Sequence, residues 1–105
     1  MNHEKKIKLI FGKRGSGKSF LAKKMIADTK RLFIYDSIGE YNQGIVFEDF
    51  GKLLDFWVLN YKKDFRIVYR PVMPKDEFIN VARLIYYLGD VTLLCEEVDI
   101  YCGTY

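Results

Sequence analysis

Apolar positions fall along this chain in two rhythms, and the switch between them lays out the elements. Lys5–Phe11 (KKIKLIF) alternates and then closes on a dense apolar run, which predicts a buried strand. Gly12–Gly17 reads as a loop. The following KSFLAKKMIADTK carries Phe20, Leu21, Met25 and Ile26 at helical spacing, so a helix is expected from about Lys18. Arg31–Asp36 (RLFIYD) predicts a second strand, and SIGEYNQG after it reads as a loop punctuated by Gly39, Asn42 and Gly44. From Glu48 to Leu59, the residues Phe50, Leu53, Leu54 and Trp57 share one helical face. Phe65–Arg70 (FRIVYR) predicts a third strand, closed by PVMP. Pro74 and Asp76 suit a helix start, with Phe78, Val81, Ala82, Ile85 and Leu88 as its apolar stripe and Gly89 as its stop. Val91–Glu97 (VTLLCEE) is a fourth strand ending in paired carboxylates. Its unbroken apolar run requires cover on both faces, as in a parallel sheet.

The order is β-α-β-α-β-α-β, which implies an α/β fold: an open, mainly parallel three-layer sandwich with right-handed crossovers. Ligands of such sheets bind at the carboxyl ends of the strands. Three segments should therefore share one edge: the loop after the first strand, Asp36 with the residues behind it, and Glu96-Glu97.

Composition narrows the chemistry. The 105 residues fit a single domain, and half are hydrophobic, enough for a core. No apolar run approaches the length of a bilayer span and no signal-peptide core follows the basic start, so the expected address is the cytoplasm. Cys95 and Cys102 lack zinc-like spacing, and Cys95 reads as a buried hydrophobe. His3 is the single histidine, which leaves little for histidine catalysis or a histidine metal site. The net charge of +3 conceals a split. Residues 1–31 carry ten Lys/Arg and two Asp/Glu (10 − 2 = +8), while residues 32–105 carry seven and twelve (7 − 12 = −5). A positive front half suits phosphate. Lys23, Lys24, Lys30 and Arg31 read as solvated helix surface, but the cations clustered in the first loop do not.

That loop, Gly12-Lys13-Arg14-Gly15-Ser16-Gly17-Lys18-Ser19, matches G-x-x-x-x-G-K-[ST] in full. Glycines let the backbone curl with its N–H groups inward, so a phosphate approaches without meeting a Cβ. The helix opening near Lys18, with Phe20 in its first turn, adds unpaired N–H donors and the positive end of its dipole. Lys18 is placed to reach the β- and γ-phosphates, and the Ser19 hydroxyl to sit on Mg²⁺, a hard ion that prefers oxygen. A chain of this composition meets the pattern by chance about 0.4% of the time, so a plain glycine turn is the weaker reading. The expected ligand is a nucleoside triphosphate, ATP, with Mg²⁺. Arg14 is suited to phosphate or to a neighbouring subunit's site.

VTLLCEE has the form of a Walker B strand. Glu96 is expected to hold Mg²⁺, directly or through water, and Glu97 to orient and deprotonate the attacking water. Lys18 and Glu97 are thus the expected catalytic groups. Glu96 is one methylene longer than the Asp usual at this position, which predicts altered metal geometry or slow turnover. Asp99 lies two residues further on.

Together GKRGSGKS, IYDSIGEY and LLCEEVD resemble the HerA/FtsK-like branch of P-loop ATPases, including the zonula-occludens-toxin-like phage proteins, over about Lys5 to Asp99. In that branch the second strand ends in Asp and is followed by Gly-Glu-aromatic, matched here by Asp36, Gly39, Glu40 and Tyr41. FRIVYRP matches the toxin-like group. The resemblance implies a P-loop NTPase that hydrolyses ATP, with Asp36 and Glu40 near the nucleotide and Asp36 in contact with water or metal. From the residues alone, a strand-end Asp equally caps the turn after it. The resemblance also implies a further strand between the phosphate-loop strand and the Walker B strand, ring or edge-paired homo-oligomers, and DNA movement or phage assembly. That further strand and its polar sensor should follow the Walker B strand. Eight residues, 98–105, follow Glu97, so the expectation is a sandwich truncated there: either the N-terminal part of a larger ATPase domain, or a minimal form that binds nucleotide and hydrolyses it slowly.

The eight Tyr, eight Phe and Trp57 invite a base-stacking role. Phe50, Trp57, Phe65 and Phe78 fall at core periods, which favours packing. Two other functions stay open: a nucleotide-binding or assembly module without turnover, and a small nucleotide or metabolite kinase. The kinase is disfavoured because no arginine-rich lid is evident.

Overall fold

Strands form where β-branched and aromatic residues run without helical spacing, and helices where the apolar stripe repeats every three to four. The computed structural model describes residues 7–12 and 23–96. Its strands are β1 (Ile7–Gly12), β2 (Arg31–Tyr35), β3 (Ile45–Phe47), β4 (Phe65–Tyr69) and β5 (Val91–Glu96). Its helices are α1 (Phe50–Asn60) and α2 (Pro74–Leu88), and Lys23–Met25 are helical as well. The strands make one sheet in the order β1-β5-β2-β4-β3, with every neighbouring pair parallel. The fold is α/β, as the sequence predicts.

One difference from the sequence expectation concerns the sheet: residues 45–47 form β3, a three-residue edge strand that continues the sheet beyond β4. β5 pairs with β1, from Ile7↔Val91 to Gly12↔Glu96, and with β2 on its other side. It is thus a central strand, and its Val91, Leu93, Leu94 and Cys95 are all buried.

One face of the sheet is covered by α1 and α2. Leu53 and Trp57 of α1 and Phe78, Val81 and Ile85 of α2 pack on Phe33, Tyr35, Phe65, Ile67, Tyr69, Leu93 and Cys95. The rings interlock edge to face: Phe33–Trp57 at 6.1 Å and Tyr35–Phe78 at 5.2 Å between centroids. Each of these side chains contributes about 1.5–3 kcal/mol by leaving water. Phe50, Trp57, Phe65 and Phe78 therefore serve the core, and Cys95 is buried in it.

The helices start and stop where the sequence signals it. Asp49 caps α1, its Oδ2 accepting from the Lys52 N–H at 3.0 Å. In α2, Pro74 fits the first turn, where its missing N–H costs nothing. Glu77 Oε2 reaches back to the Val72 and Met73 N–H groups at 3.1 and 2.7 Å. Gly89, at φ 64°, ends α2 with its N–H on Ile85 O. Arg31 opens β2, as the second strand predicts, and its side chain, read as solvated surface, binds the chain's turns together. Its guanidinium donates to the carbonyls of Asp90 (2.7 Å), Lys63 (2.5 Å) and Tyr61 (3.0 Å).

The other face is built differently. Leu32, Ile34, Val68 and Leu94 are covered by Ile26 and by Tyr41, which lies in the connection between β2 and β3. Parallel strands of one sheet, here β2 and β3 on either side of β4, usually need a crossover of a dozen residues or more, commonly a helix. Here residues 36–44 make the crossing without one, and Tyr41, fully buried, supplies the apolar cover. Gly44 ends the crossing against β4. A Cβ there would lie 2.4 Å from the Arg66 carbonyl oxygen, so only glycine lets the two backbones approach.

Candidate functional site at the carboxyl edge of the sheet

The register sets Phe11, Cys95, Tyr35, Tyr69 and Phe47 in one line across the five strands. One residue further, Gly12, Glu96, Asp36, Arg70 and Glu48 make a second line at the carboxyl edge. Neighbouring strands lie about 4.8 Å apart, which puts Gly12 and Asp36 about 10 Å from each other with Glu96 between them. Three sites expected from separate parts of the sequence are thus brought together: the start of the glycine-rich loop, the paired acids and the second-strand Asp. Gly12 and Glu96 are described as backbone positions. Lys13, Arg14, Gly15, Ser16, Gly17, Lys18, Ser19, Phe20 and Glu97 lie outside the described residues, as does Asp99.

Asp36 is the best-defined group of this edge. Its carboxylate is buried, and its own backbone N–H donates to Tyr69 O at 2.8 Å, continuing the sheet. Oδ1 accepts from the N–H groups of Gly39 (2.8 Å) and Glu40 (3.1 Å), and Oδ2 from Tyr41 (3.0 Å). Three successive backbone donors curl around one carboxylate, and Gly39 takes φ +73° to make that curl. The Arg70 guanidinium closes the cluster with Nε 3.3 Å from Oδ2, and its Nη2 donates to Tyr41 O and Asn42 Oδ1 at 2.9 and 3.1 Å. Both oxygens of Asp36 are therefore engaged within its own loop. This is the turn-capping alternative rather than a carboxylate held open for water or metal. Glu40 contributes its backbone N–H to the curl and leaves its side chain in solvent.

Three groups on this face carry no signal in the sequence reading. Arg66 donates to the carbonyls of Gln43 (2.7 Å), Ile26 (3.1 Å) and Thr29, so it ties the far end of the crossing to the turn after residues 23–25. Lys23 holds its ammonium 5.2 Å over the Tyr41 ring, a cation–π contact linking that helical segment to the crossing. Ser37 is the third. Its Oγ is shielded from solvent and has no hydrogen-bond partner among the described residues. An unmade hydrogen bond of this kind costs about 1–3 kcal/mol.

Beyond Arg70, the Tyr69 hydroxyl donates to Glu77 Oε1. Burial first, then that bond and the charges of Glu77 and Asp49, push the Tyr69 hydroxyl well above the ordinary tyrosine range. It stays protonated and serves as a fixed donor.

A cavity of about 580 Å³ opens at the opposite, amino edge, lined among others by Ala27, Lys30, Gly44, Phe56 and Arg66. Its most directional group, the Arg66 guanidinium, is already committed to carbonyls, so the chemistry gathers at the carboxyl edge instead. Among the described residues no three His, Cys, Asp or Glu side chains cluster as metal ligands, and no helix is long and apolar enough to cross a membrane. Compared with protein-family models, with curated proteins and with solved structures, the chain matches none.

Proposed function

We propose that the chain binds Mg-ATP at the carboxyl edge of the sheet and hydrolyses its γ-phosphate. The observation that carries this reading is the place of the motif: Gly12, the first residue of G-x-x-x-x-G-K-S, is the last residue of β1 and the register partner of Glu96. A glycine-rich loop leaving a parallel strand at its carboxyl end, beside an acidic strand end, is the arrangement that phosphate recognition requires. The backbone of Gly12–Ser19 would surround the phosphates, Lys18 would neutralise them, and Glu97 would take the proton of the attacking water. Ser19 and Glu96 are the residues suited to Mg²⁺, which supplies charge neutralisation between the β- and γ-phosphates.

The affiliation with HerA/FtsK-like ATPases, and with it DNA movement or phage assembly in a homo-oligomer, rests on the sequence resemblance. The described strand order departs from that branch where β1 meets β5. The phosphate chemistry does not depend on the branch. Binding without turnover is the second reading, and one observation favours it: Asp36, whose counterpart the resemblance places near water or metal, is spent on its own loop.

Calorimetric titration with Mg-ATP and a phosphate-release assay separate the two readings. Turnover that falls at least tenfold in Glu97→Gln with binding retained supports hydrolysis. Binding by the wild type with no phosphate release at any protein concentration supports the module, and no binding at all overturns both.

A further inference from the structure

We propose that the outer edge of β1 is where a second copy of this chain docks, strand to strand, so that two sheets join into one. The proposal rests on described strands alone and does not depend on nucleotide.

The two ends of the sheet are unlike. The β3 end is three residues long, a length that gives another strand little to pair with. The β1 end offers six residues, Ile7–Gly12, with no proline and a single charge, Lys8. Among the described residues β1 has one neighbour, β5, so the N–H and C=O groups of its other side face away from the sheet. The apolar cover ends at the same place. Leu9 is the register partner of Leu93, and the two share a face. Leu93 is 3% exposed beneath the helical layer, whereas Leu9 is 52% exposed. Ile7 and Ile10 pack against the two cores, so β1 is held in place while Leu9 stays in contact with water. A long, apolar, fixed edge strand is a template for another strand.

The strand that fits is β1 of a second copy. Two copies related by a two-fold axis through Leu9 pair antiparallel, with Leu9 opposite Leu9, Lys8 opposite Ile10 and Ile7 opposite Phe11. Opposite residues lie on one face, so the two Leu9 side chains cover each other. A lysine in an edge strand ordinarily discourages pairing. Here Lys8 stands on the other face from Leu9, and in this register it meets Ile10 rather than a second Lys8, so no like charges oppose. The contact uses the same surface on both copies and closes at two, since β3 is too short to extend it. A joint of two six-residue strands falls short of the roughly 1,600 Å² of a standard interface, so the pair is reversible, with a dissociation constant on the order of 10 μM.

Sedimentation velocity from about one-tenth to about fifty times that concentration reads the association. The wild type is expected to pass from monomer to dimer without larger species. Leu9→Lys sets like charges opposite each other and should weaken the dimer at least tenfold. Its melting temperature at low concentration should be unchanged, because residue 9 is half-exposed. Val46→Lys, on β3, should dimerise like the wild type. In a Cys102→Ser background, Leu9→Cys should oxidise to a disulfide-linked dimer and Lys8→Cys should not, which reads the register directly. A monomer at every concentration overturns the proposal and leaves the β1 edge to another segment or another protein. A dimer that survives Leu9→Lys, or that Val46→Lys abolishes, overturns it too. Crosslinking through Lys8→Cys with none through Leu9→Cys overturns the two-fold axis at Leu9.

Discussion

The two faces of the sheet solve the same problem with different materials. Under α1 and α2 the cover is apolar throughout: Leu53, Trp57, Phe78, Val81 and Ile85 against aromatic and aliphatic strand residues. On the other face the crossing 36–44 replaces a helix. It brings a buried carboxylate and an unpaired hydroxyl, and Arg66 in β4 and Arg70 just after it fasten the crossing through carbonyls. A polar network of this kind stabilises less per residue than the apolar layer and fixes geometry more tightly. The helix-covered face accounts for the fold. The loop-covered face fastens the carboxyl end of β2, the same edge at which β1 ends in Gly12.

The contrast is broken first by truncating the apolar side. Trp57→Ala should cost about 3–5 kcal/mol, measured by denaturant unfolding, because the ring packs on both Phe33 and Phe65. Asp36→Ala should cost about 3 kcal/mol, since three N–H donors and Arg70 lose their acceptor. A smaller loss, with Asp36→Asn equally mild, would mean the loop does not depend on this charge. The two substitutions should also differ in place: Trp57→Ala loosens the packing under α1, whereas Asp36→Ala releases the curl of Gly39, Glu40 and Tyr41 and raises amide exchange there.

Tyr69→Phe is next, at about 1 kcal/mol, because Glu77 Oε1 loses its donor. It carries a pH signature. The Tyr69 hydroxyl holds its proton more tightly in the folded chain, so its contribution is complete below the ordinary tyrosine value of about 10. Above that pH the unfolded chain releases its proton first and stability falls. Urea midpoints recorded from pH 8 to 11 should therefore decline less steeply in the Phe variant. The smallest effect is expected at Glu40. Its side chain is exposed and only its N–H is used, so Glu40→Ala should stay within about 0.5 kcal/mol of wild type. Loss of nucleotide binding in that variant would restore Glu40 to the site.

The helix-covered face was legible in the sequence because its signals are local. Expected helices over 48–59 and from Pro74 to about Leu88 correspond to Phe50–Asn60 and Pro74–Leu88, with Asp49, Pro74 and Gly89 at their ends. The strands ending at Tyr35, Tyr69 and Glu96 follow from dense apolar runs. The loop-covered face was legible only at its motif residues. β3 is three residues long, with Ile45 and Val46 partly exposed, too short for any alternation to register. Arg31, Arg66 and Arg70 act on carbonyl, amide and carboxylate oxygens 23 to 59 positions away, and no local pattern announces such bonds. Arg31 at the start of β2, and Arg66 and Arg70 near the two ends of β4, are the one hint in the sequence. Asp36 shows the limit of motif reading: the spacing to Gly39, Glu40 and Tyr41 is real, and its first physical use is to close a turn.

If nucleotide binds where β1, β5 and β2 end, and not in the cavity at the amino edge, amide hydrogen exchange with and without Mg-ATP will show it. Exchange should slow over residues 12–19 and 36–41 and stay unchanged over residues 27–30 and 64–66. Protection confined to 27–30 and 64–66, or no protection anywhere at saturating Mg-ATP, would contradict the carboxyl-edge site.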